Sequence, residues 1–514
     1  MRPLGHEFNL ALLGSLQEPY LSVAHGLSGH SSEGAPGVVA LSIIDSLLLN
    51  CFKSPQPDGV TVMLKATQLV SCLFVILGTG VATAQSNGSV LFENAQVIVG
   101  DGSQLSSVDV LIGDGVIQGV GNLDGVTADT VVDLSGKTLM PALIDGHAHL
   151  GYQSYSGWGA EFYSEENLRA NLEQYAYYGF SAVFSAGSDP DLLSLNFQLQ
   201  QSASNQTYAE FLFAAGMAPP GQGPNNQFLV QTAQVEESTG MTILRGLSDP
   251  ELARAQVREV AELGIGFIKI WVDDRGGTQQ KLVPEIYRAV ADEAKQLGLQ
   301  VFVHQQTAAD MADLIAAGVD GFLHGRVGDD FTAALSSQAA AADVFIVPNL
   351  GLGELRREAI GADEFLMAFL DDEASARLGE NALRSLNPLR LAGDEGAVAS
   401  GLARFLAAGG QLVLGTDAGA VPDHPFGYTG HRELEIYVRL GVPPMVALQA
   451  ATGNAARYLG LEDQGLLRTG YQADLIVLDG DPLQDIRNTR RIDSVYLDGQ
   501  QVDREAIRRR ISGR

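Results

Sequence analysis

The chain has 514 residues, of which 46% are hydrophobic and 18% charged, and its 32 Lys and Arg against 61 Asp and Glu give a formal net charge of −29. This length allows one large domain beside a smaller one, and the composition is that of an ordinary globular protein. The negative charge repels nucleic acid and anionic membrane surfaces, so we expect a small-molecule ligand and no nucleic acid partner. Cysteine occurs only at Cys51 and Cys72, which excludes a disulfide framework or thiolate metal site in the rest of the chain.

Residues 1–84 are not predicted to belong to the folded part of the chain. From Met63 the sequence reads MLKATQLVSCLFVILGTGVATAQ, with a lysine, a short apolar run and the small residues ATA before Gln85. This order is typical of a secretory signal peptide, and the apolar run is short for a transmembrane helix. We predict a disordered upstream extension over 1–62, a signal peptide over 63–84, and an exported, periplasmic or extracellular protein without a membrane span.

Short alternating segments separated by glycine turns occupy both ends of the remaining chain. Near the start they include SVLFENAQVIVGDGS, and near the end ADLIVLDGDPL and IDSVYLDGQQV. Alternation with glycine turns predicts β-strands. We therefore predict one small β-sandwich built from residues 85–138 and 456–514, the latter including a C-terminal tail.

Between these ends, residues 139–455 alternate strand and helix signals. Helical windows such as DPELARAQVREVAELG carry apolar residues at spacings of three and four, with Pro or Gly at their ends. Such a βα repeat is typical of an α/β fold, here a (β/α)8 TIM-type barrel. The long stretch 351–410 predicts a helical insertion over the mouth of the barrel. The predicted strands span 139–147, 180–186, 208–215, 265–272, 299–304, 318–324, 343–349 and 411–417.

Four of these strand regions end on residues that can bind a metal. In LIDGHAHL, two histidines stand two residues apart, so both imidazoles point to the same side of an extended strand. The same parity places the lysine of FIKIW and the last residues of VFVH and LVLGTD opposite the apolar face of their strands. In a parallel barrel that polar side faces the axis, which predicts a convergent metal site. The set comprises His147, His149, Lys269, His304, His324 and Asp417.

Several segments together resemble the amidohydrolase superfamily over residues 88–500. They are MPALIDGHAHL, KIW, VFVH, FLHG, LGTDAG, HREL and the tail beginning ATGNAARYLGL. Within that superfamily the chain is most similar to the branch of imidazolonepropionase-like and Xaa-Pro dipeptidase-like enzymes. The usual glycine of the PGLIDGHxH segment is Ala142 here, a conservative departure. The resemblance implies a metal-dependent hydrolase that cleaves an amide or peptide-type C–N bond of a dipeptide or N-acyl amino acid-like substrate.

The resemblance also implies two divalent metal ions. His147, His149 and Asp417 would bind the more buried ion, and His304 and His324 the second. Zinc is the expected metal, although nitrogen and oxygen ligands also accept manganese, cobalt or iron.

Lys269 would bridge the two ions as N6-carboxylysine, a carbamate formed with carbon dioxide, because a cationic amine is a poor ligand. The alternative is a lysine that reaches the rim or pairs with an acid such as Asp273. Asp417 would be the catalytic residue that takes a proton from the attacking water and passes it to the leaving group. His324 or a loop residue would help to stabilise the oxyanion.

Four further residues are candidates for substrate contact. Arg275 and Arg326 follow strands at the predicted mouth and could pair with a substrate carboxylate. Ordinary surface salt bridges are the competing interpretation. His424 and His431 follow the last strand, and a solvent-facing position at a helix start competes with substrate contact for His431.

Other functions stay open at this stage. The same site could serve a lactone, ester or organophosphate hydrolase. A mononuclear deaminase would carry an acid shortly after the fifth-strand histidine, where this chain has Gln305, Gln306 and Thr307. A catalytically inactive binding scaffold would have lost ligands, and this chain keeps the whole set. The sequence leaves a homo-oligomer open.

Overall fold

The computed structural model describes residues 88–204, 207–325, 327–354, 360, 362–381 and 392–513. The predicted extension at 1–62, the predicted signal peptide at 63–84 and Arg326 lie outside the described residues. So do parts of the predicted insertion at 351–410.

Strands and helices are numbered in chain order within the described residues. The strands are β1 (Val90–Ile98), β2 (Gln104–Gly113), β3 (Val116–Gly121), β4 (Thr130–Asp133), β5 (Thr138–Pro141), β6 (Leu143–Ala148), β7 (Phe180–Ser185), β8 (Glu210–Phe213), β9 (Ala215–Ala218), β10 (Leu244–Gly246), β11 (Phe267–Val272), β12 (Gln300–Gln305), β13 (Gly321–Leu323), β14 (Phe345–Val347), β15 (Leu475–Leu478), β16 (Ile492–Leu497) and β17 (Gln500–Gln501). The α-helices are α1 (Glu165–Tyr177), α2 (Asp191–Ser202), α3 (Asn226–Thr239), α4 (Pro250–Leu263), α5 (Pro284–Leu297), α6 (Ala308–Ala317), α7 (Ala333–Ala341), α8 (Gly351–Glu354), α9 (Glu364–Met367), α10 (Asp372–Asn381), α11 (Ala392–Ala407), α12 (Tyr428–Arg439), α13 (Pro444–Ala450), α14 (Gly453–Tyr458) and α15 (Arg504–Ser512).

Strands from both ends of the chain form one eight-stranded sheet. Its order is β17-β16-β15-β5-β1-β2-β3, with β4 paired to β1, and β15 joins β5 in antiparallel register. The sheet has its own apolar core, in which the rings of Phe92 and Tyr496 meet edge to face at 5.2 Å. Both ends therefore contribute strands to one hydrogen-bonded sheet. The sandwich arrangement stays a prediction.

The middle of the chain holds parallel strands joined by helices, which confirms the α/β prediction. One sheet has the order β10-β9-β11-β12-β13-β14 and a second the order β6-β7-β8. Only Ala214 separates β8 from β9, and its N–H donates to the carbonyl of Ser185 at 3.1 Å. The two sheets therefore adjoin on this side.

The predicted eighth strand, 411–417, is extended but forms no regular ladder. This segment makes isolated parallel bridges to both sheets. Leu412 pairs with Ile346 in β14, and Ala418 pairs with Ala148 in β6. The N–H groups of Thr416 and Asp417 both donate to one carbonyl, that of His147, so regular pairing stops there. This part of the strand prediction was wrong for a local reason, since one acceptor serves two successive donors.

The two faces of β11 show the predicted alternation. Ile268, Ile270 and Val272 pack with the helices in the larger apolar core, whereas Phe267 belongs to a separate inner cluster. That cluster also contains Phe302, whose ring lies 5.7 Å from the Phe267 ring. A lysine at 269 therefore shares the inner face, where it can reach a central site.

Helix α4 forms where the sequence predicted it, and α5 has similar end signals. Asp249 caps α4 by accepting from the N–H of Leu252, and Gly264 ends it at φ 82°. Pro284 begins α5 and Gly298 ends it at φ 74°, a left-handed conformation that suits glycine. These helices pack side by side outside β11 and β12. No α-helix in the part of the chain that the structure describes is both long and apolar enough to cross a bilayer.

Candidate active site

His147, His149 and Asp417 bring their side chains together where β6 ends beside the 411–418 segment. The Asp417 Oδ1 atom lies 3.1 Å from His149 Nε2 and 3.5 Å from His147 Nε2. One ligand atom from each residue lies within 4.8 Å of the others, and all three residues are buried. Two imidazoles and a carboxylate at this spacing form a set that can bind one divalent metal ion.

Both histidines have their second ring nitrogen engaged by a neighbour. His147 Nδ1 lies 2.9 Å from Asn349 Oδ1, and His149 Nδ1 lies 2.8 Å from Ser188 Oγ. The amide oxygen of Asn349 only accepts, so it places the ring proton of His147 on Nδ1, and the Nε2 atoms of both histidines face Asp417. His147 Nε2 and Asp417 Oδ1 are buried and have no hydrogen-bond partner in the described structure. The donor set therefore fits a metal ion.

His304 and His324 extend this group along the ends of β12 and β13. Their ring centroids are 4.9 Å apart, and His324 Nε2 lies 3.6 Å from Asp417 Oδ2. His304 Nε2 is occupied, because it lies 2.8 Å from Asp273 Oδ2. The free nitrogen of His304 is therefore Nδ1, so this pair can offer one nitrogen from each ring to a second ion.

Lys269 lies on the inner face of β11 and is 1% exposed. Its Nζ atom is 5.5 Å from the centre of the Trp271 ring. Burial lowers the pKa of Lys269 to about 7, against the opposing effect of Asp417. A substantial fraction of the amine is therefore neutral at neutral pH, and the neutral amine is the form that reacts with carbon dioxide. The alternative in which Lys269 reaches the rim is wrong, because this residue is buried. Asp273 does not pair with Lys269 but with His304 and Arg275.

The protonation states of the surrounding groups suit metal binding. Burial lowers the pKa of His147, His149, His304 and His324, so all four imidazoles are neutral at neutral pH. Burial alone would raise the pKa of Asp417, but the nearby histidines, with His324 first, hold it well below its ordinary value. Metal ions bind neutral imidazole and ionised carboxylate, which are the forms present here.

Four residues at the strand ends that carry the site have a left-handed backbone conformation. Arg275, His324, Asn349 and Asp417 have φ values of 53°, 67°, 52° and 61°. A left-handed conformation is uncommon for residues other than glycine, and it persists where surrounding contacts hold it. Here it turns the chain sharply after each strand, which directs the side chains into the common centre.

Close packing of the backbone around the site requires glycine at 187. A Cβ atom there would lie 2.8 Å from Lys269 Cβ, and the residue has φ 79°. The next residue is Ser188, which contacts His149. Gly187 thus lets one loop approach the lysine and the histidine at once.

Asp145 connects the two chain segments that carry the ligands. Its Oδ1 accepts from the backbone N–H groups of His147 and Thr416, each at 3.1 Å. Its Oδ2 accepts from the hydroxyls of Thr416 and Tyr175, each at 2.7 Å. Burial raises the pKa of Asp145 to about 6. This carboxylate, which sequence reasoning missed, sets the spacing between His147 and Asp417.

An open cavity of about 1220 Å³ lies over this group. Residues from several strand ends and from α11 in the insertion line it. Its walls combine the aromatic side chains of Phe228 and Trp271 with the guanidinium of Arg275, and Val398 contributes from α11. The cavity can therefore hold a ligand with both an apolar part and a charged or polar part.

The four candidates for substrate contact have different outcomes. Arg275 lines the cavity, where it also contacts Asp273 at 3.1 Å. Arg326 lies outside the described residues. His424 is fully buried, and it is not among the described residues lining the cavity.

His431 is buried in the interior of the protein. Its ring nitrogens lie 2.8 Å from the Tyr178 carbonyl oxygen and 3.0 Å from Thr489 Oγ1. It does not line the cavity, so both the solvent-facing and the substrate-contact interpretation were wrong. The physical reason is that the first turn of α12 packs into the core instead of facing water.

Three further residues that support the site were missed: Asn349, Ser188 and Asp145. Each is a polar residue beside a strand of apolar residues, in PNLG, AGSDP and LIDGH. An isolated polar residue at the end of an apolar strand is the signal that could have drawn attention to them. Their partners are distant in sequence, so the contacts themselves could not be read from spacing.

Comparison with known proteins identifies the family. The sequence profile described as Amidohydrolase family matches residues 138–502. The chain belongs to the amidohydrolase family. This confirms the resemblance inferred from the motifs, and the chain is a hydrolase acting on carbon–nitrogen bonds.

Individual relatives of this amidohydrolase are distant. It is 25% identical over 422 residues to an imidazolonepropionase from Deinococcus radiodurans, covering 79% of this chain and 94% of that protein. It is 24% identical over 410 residues to a 5'-deoxyadenosine deaminase from Methanosarcina mazei, covering 76% and 84%. Among solved structures it is similar to a Xaa-Pro dipeptidase with methionine bound in the active site, with 22% identity, a TM-score of 0.61 and coverage of 80% and 99%. The last likeness shows the amidohydrolase fold, which is of the TIM-barrel type.

Proposed function

We propose that this amidohydrolase cleaves the amide or peptide-type C–N bond of a dipeptide or N-acyl amino acid at a site holding two divalent metal ions. The observation that carries the proposal is the convergence of four imidazoles, an ionised carboxylate and a buried lysine at the base of one cavity, which all of them except His147 line. A binding scaffold has no need of such a set, whereas hydrolysis of an unreactive amide does.

The residues divide into two ligand groups. His147, His149 and Asp417 would hold one ion, and His304 Nδ1 with His324 Nε2 would hold the second. Lys269, as a carbamate, would help to hold both ions, and zinc is the metal proposed. When bound, the ions would polarise the scissile carbonyl and acidify a water molecule.

Asp417 is proposed to transfer the proton from the attacking water to the leaving nitrogen. It is ionised and buried, and its Oδ2 atom faces His324 at 3.6 Å. The carboxylate would accept a proton from the attacking water and return it to the nitrogen that leaves. Neutral histidines around it leave Asp417 as the base of the site.

The substrate class follows from the cavity and the relatives. Arg275 offers a cation to a free carboxylate, and Phe228 and Trp271 offer apolar walls to a side chain. Relatives named Xaa-Pro dipeptidase and imidazolonepropionase act on compounds with C–N bonds, which supports an amide substrate. Arg275→Ala would then raise KM for substrates with a carboxylate more than for the corresponding amides.

A hydrolysis panel tests the proposal. The metal-reconstituted protein is incubated with dipeptides, N-acyl amino acids, lactones and organophosphates, and the products are separated by chromatography. Turnover of the first two classes supports the proposal. Turnover of lactones or organophosphates alone would replace it with the ester-type alternative, and binding without product would leave a binding protein.

A mononuclear deaminase is the second candidate. The group His147, His149 and Asp417 suffices for one ion, and a relative from Methanosarcina mazei is named 5'-deoxyadenosine deaminase. Release of ammonia from 5'-deoxyadenosine, with one metal ion per chain by elemental analysis, would support it. Two ions per chain and no ammonia would exclude it.

The remaining architectural and cellular proposals have separate tests. The two parallel sheets are proposed to be parts of one (β/α)8 barrel, supported by the bridges of 411–418 to β6 and β14.

The protein is proposed to be exported, supported by the signal-like sequence at 63–84. N-terminal sequencing of protein from the native cell would begin at Gln85, and an intact Met63 or Met1 would contradict export by cleavage.

A further inference from the structure

Asn349 is a buried amide in the wall of the catalytic cavity. It follows β14, is 6% exposed and has φ 52°. It lines the cavity together with His324, Asp417 and Lys269. An uncharged residue in this wall could contribute packing alone, so the hydrogen bonds of its amide show whether it has a further role.

The orientation of the Asn349 amide is set by two donors. The backbone N–H of His324 donates to Oδ1 at 3.0 Å, and a backbone N–H can only donate. His147 Nδ1 lies 2.9 Å from the same oxygen. The oxygen therefore faces these two groups, and the amide nitrogen must point the other way.

The amide nitrogen of Asn349 has no acceptor in the described structure. Its Nδ2 atom is buried and without a hydrogen-bond partner. Buried polar groups are almost always paired, and an exception in a catalytic pocket calls for a ligand as the missing partner. The backbone that follows Asn349 is held in place, because the Leu350 N–H donates to the buried Glu433 carboxylate at 2.8 Å.

We propose that Asn349 Nδ2 donates a hydrogen bond to the carbonyl oxygen of the scissile bond and to the oxyanion that forms from it. This rests on the proposed hydrolysis. The water oxygen bonds to the carbonyl carbon, the electron pair of the C=O π bond moves to the oxygen, and the water proton goes to Asp417. Collapse re-forms the C=O bond and breaks the C–N bond, and the nitrogen takes the proton, giving a carboxylic acid and an amine.

For this role the sequence analysis named His324 or a loop residue, and Asn349 suits it better than His324. His324 Nε2 faces Asp417 Oδ2 at 3.6 Å. That nitrogen is needed as a ligand and would have no proton to donate. The free donor in this part of the wall is the Asn349 amide, whose second end already fixes the metal-binding histidine His147.

The test compares two identical substitutions in one cavity. Asn349→Asp keeps an oxygen for His147 and His324 but removes the donor. Asn225→Asp also adds one negative charge to the cavity wall, and its carboxylate can still cap α3 at the Phe228 N–H. With the best substrate of the panel, Asn349→Asp should lower kcat by about 10²–10³-fold relative to Asn225→Asp, with KM changed by less than about threefold.

Two readouts besides turnover accompany this comparison. Metal content by elemental analysis and the melting temperature of the metal-free full chain should equal wild type for Asn349→Asp. A kcat within about threefold of Asn225→Asp would overturn the proposal. Loss of metal or early melting in Asn349→Asp would also overturn it, because the residue would then act only by positioning His147.

Failure of the hydrolysis proposal is distinguishable. If the wild type turns over no member of the panel, the proposed function fails, and binding tests the donor by itself. Calorimetric titration with methylphosphonate, a tetrahedral oxyanion, should show at least about tenfold weaker binding to metal-loaded Asn349→Asp than to Asn225→Asp. Equal affinities would overturn the proposal.

Discussion

The hydroxyl of Thr416 donates to the carboxylate of Asp145 at 2.7 Å, between two segments far apart in the chain. The backbone N–H of Thr416 donates to the same carboxylate at 3.1 Å. Thr416 immediately precedes Asp417, and Asp145 lies two residues before His147. The buried carboxylate of Asp145 therefore fixes the spacing between His147 on β6 and Asp417 on the 411–418 segment, although Asp145 is not one of the proposed metal ligands.

Replacing Asp145 should loosen that frame. Asp145→Ala removes the acceptor of the His147 N–H and of the Thr416 and Tyr175 hydroxyls, which should lower the free energy of unfolding by about 2–4 kcal/mol. Zinc affinity of the remaining folded protein should fall as well, because the ligands lose their spacing. Asp145→Asn is the matched control, since it keeps an oxygen for both N–H groups and should lose less. Urea unfolding and competition with a zinc chelator measure both quantities, and an unchanged zinc affinity in Asp145→Ala would show that the carboxylate does not position the ligands.

Asp417 is predicted to act as more than a ligand. Asp417→Asn keeps an oxygen for the metal but removes the base, so turnover should fall by at least about 10³-fold while most of the metal stays bound. Elemental analysis and kcat on the same preparation measure this. Asp343→Asn, at an exposed ion pair with Arg457, is the control and should retain both. Parallel loss of metal and activity in Asp417→Asn would reduce its role to binding.

Local periodicity predicted those parts of the site that lie on regular strands. Lys269 was placed inward by alternation alone, and in the structure Ile268 and Ile270 pack outward as that alternation requires. The same test worked for His304, because β12 pairs in regular register on both sides. On a strand with regular pairing, alternate positions in the sequence therefore predict the face to which each side chain points.

Features that depend on tertiary packing could not be predicted in this way. His431 stands at the start of a helix, but the neighbours that bury it, Tyr178 and Thr489, are remote in sequence. The contacts of Asn349 could not be predicted either, because the partners of its amide oxygen, the His147 ring and the His324 backbone N–H, are remote in sequence. Sequence spacing shows which residues can share a face, but not which distant group will meet them.

Lys269 is predicted to carry carbon dioxide. Lys269→Arg keeps a cation but removes the amine that forms a carbamate, so metal content should fall from two ions toward one and kcat by at least about 10²-fold. Lys281→Arg, at the ion pair with Asp310, is the matched control. In wild type grown with 13C-bicarbonate, a carbamate carbon signal should appear by NMR and be absent in Lys269→Arg. A wild type with two ions and no such signal would contradict the carbamate.

Asp474 should make stability fall as the pH rises toward neutrality. Burial, followed by the charges of Asp498, Glu210 and Asp463, raises its pKa to about 7, although the Asp498 N–H donates to it. The unfolded value is about 4, so between these values the native state binds the extra proton, and stability present at acid pH is lost as pH rises through 7.

The size of the effect for Asp474 is about 4 kcal/mol if the full difference in pKa acts. Asp474→Asn removes this titration, so its free energy of unfolding relative to wild type should be more favourable at pH 8 than at pH 5. Urea unfolding at both values measures the difference. Asp498→Asn removes one neighbouring charge and should move the wild-type transition to lower pH. A difference between Asp474→Asn and wild type that is independent of pH would show that Asp474 does not titrate in this range.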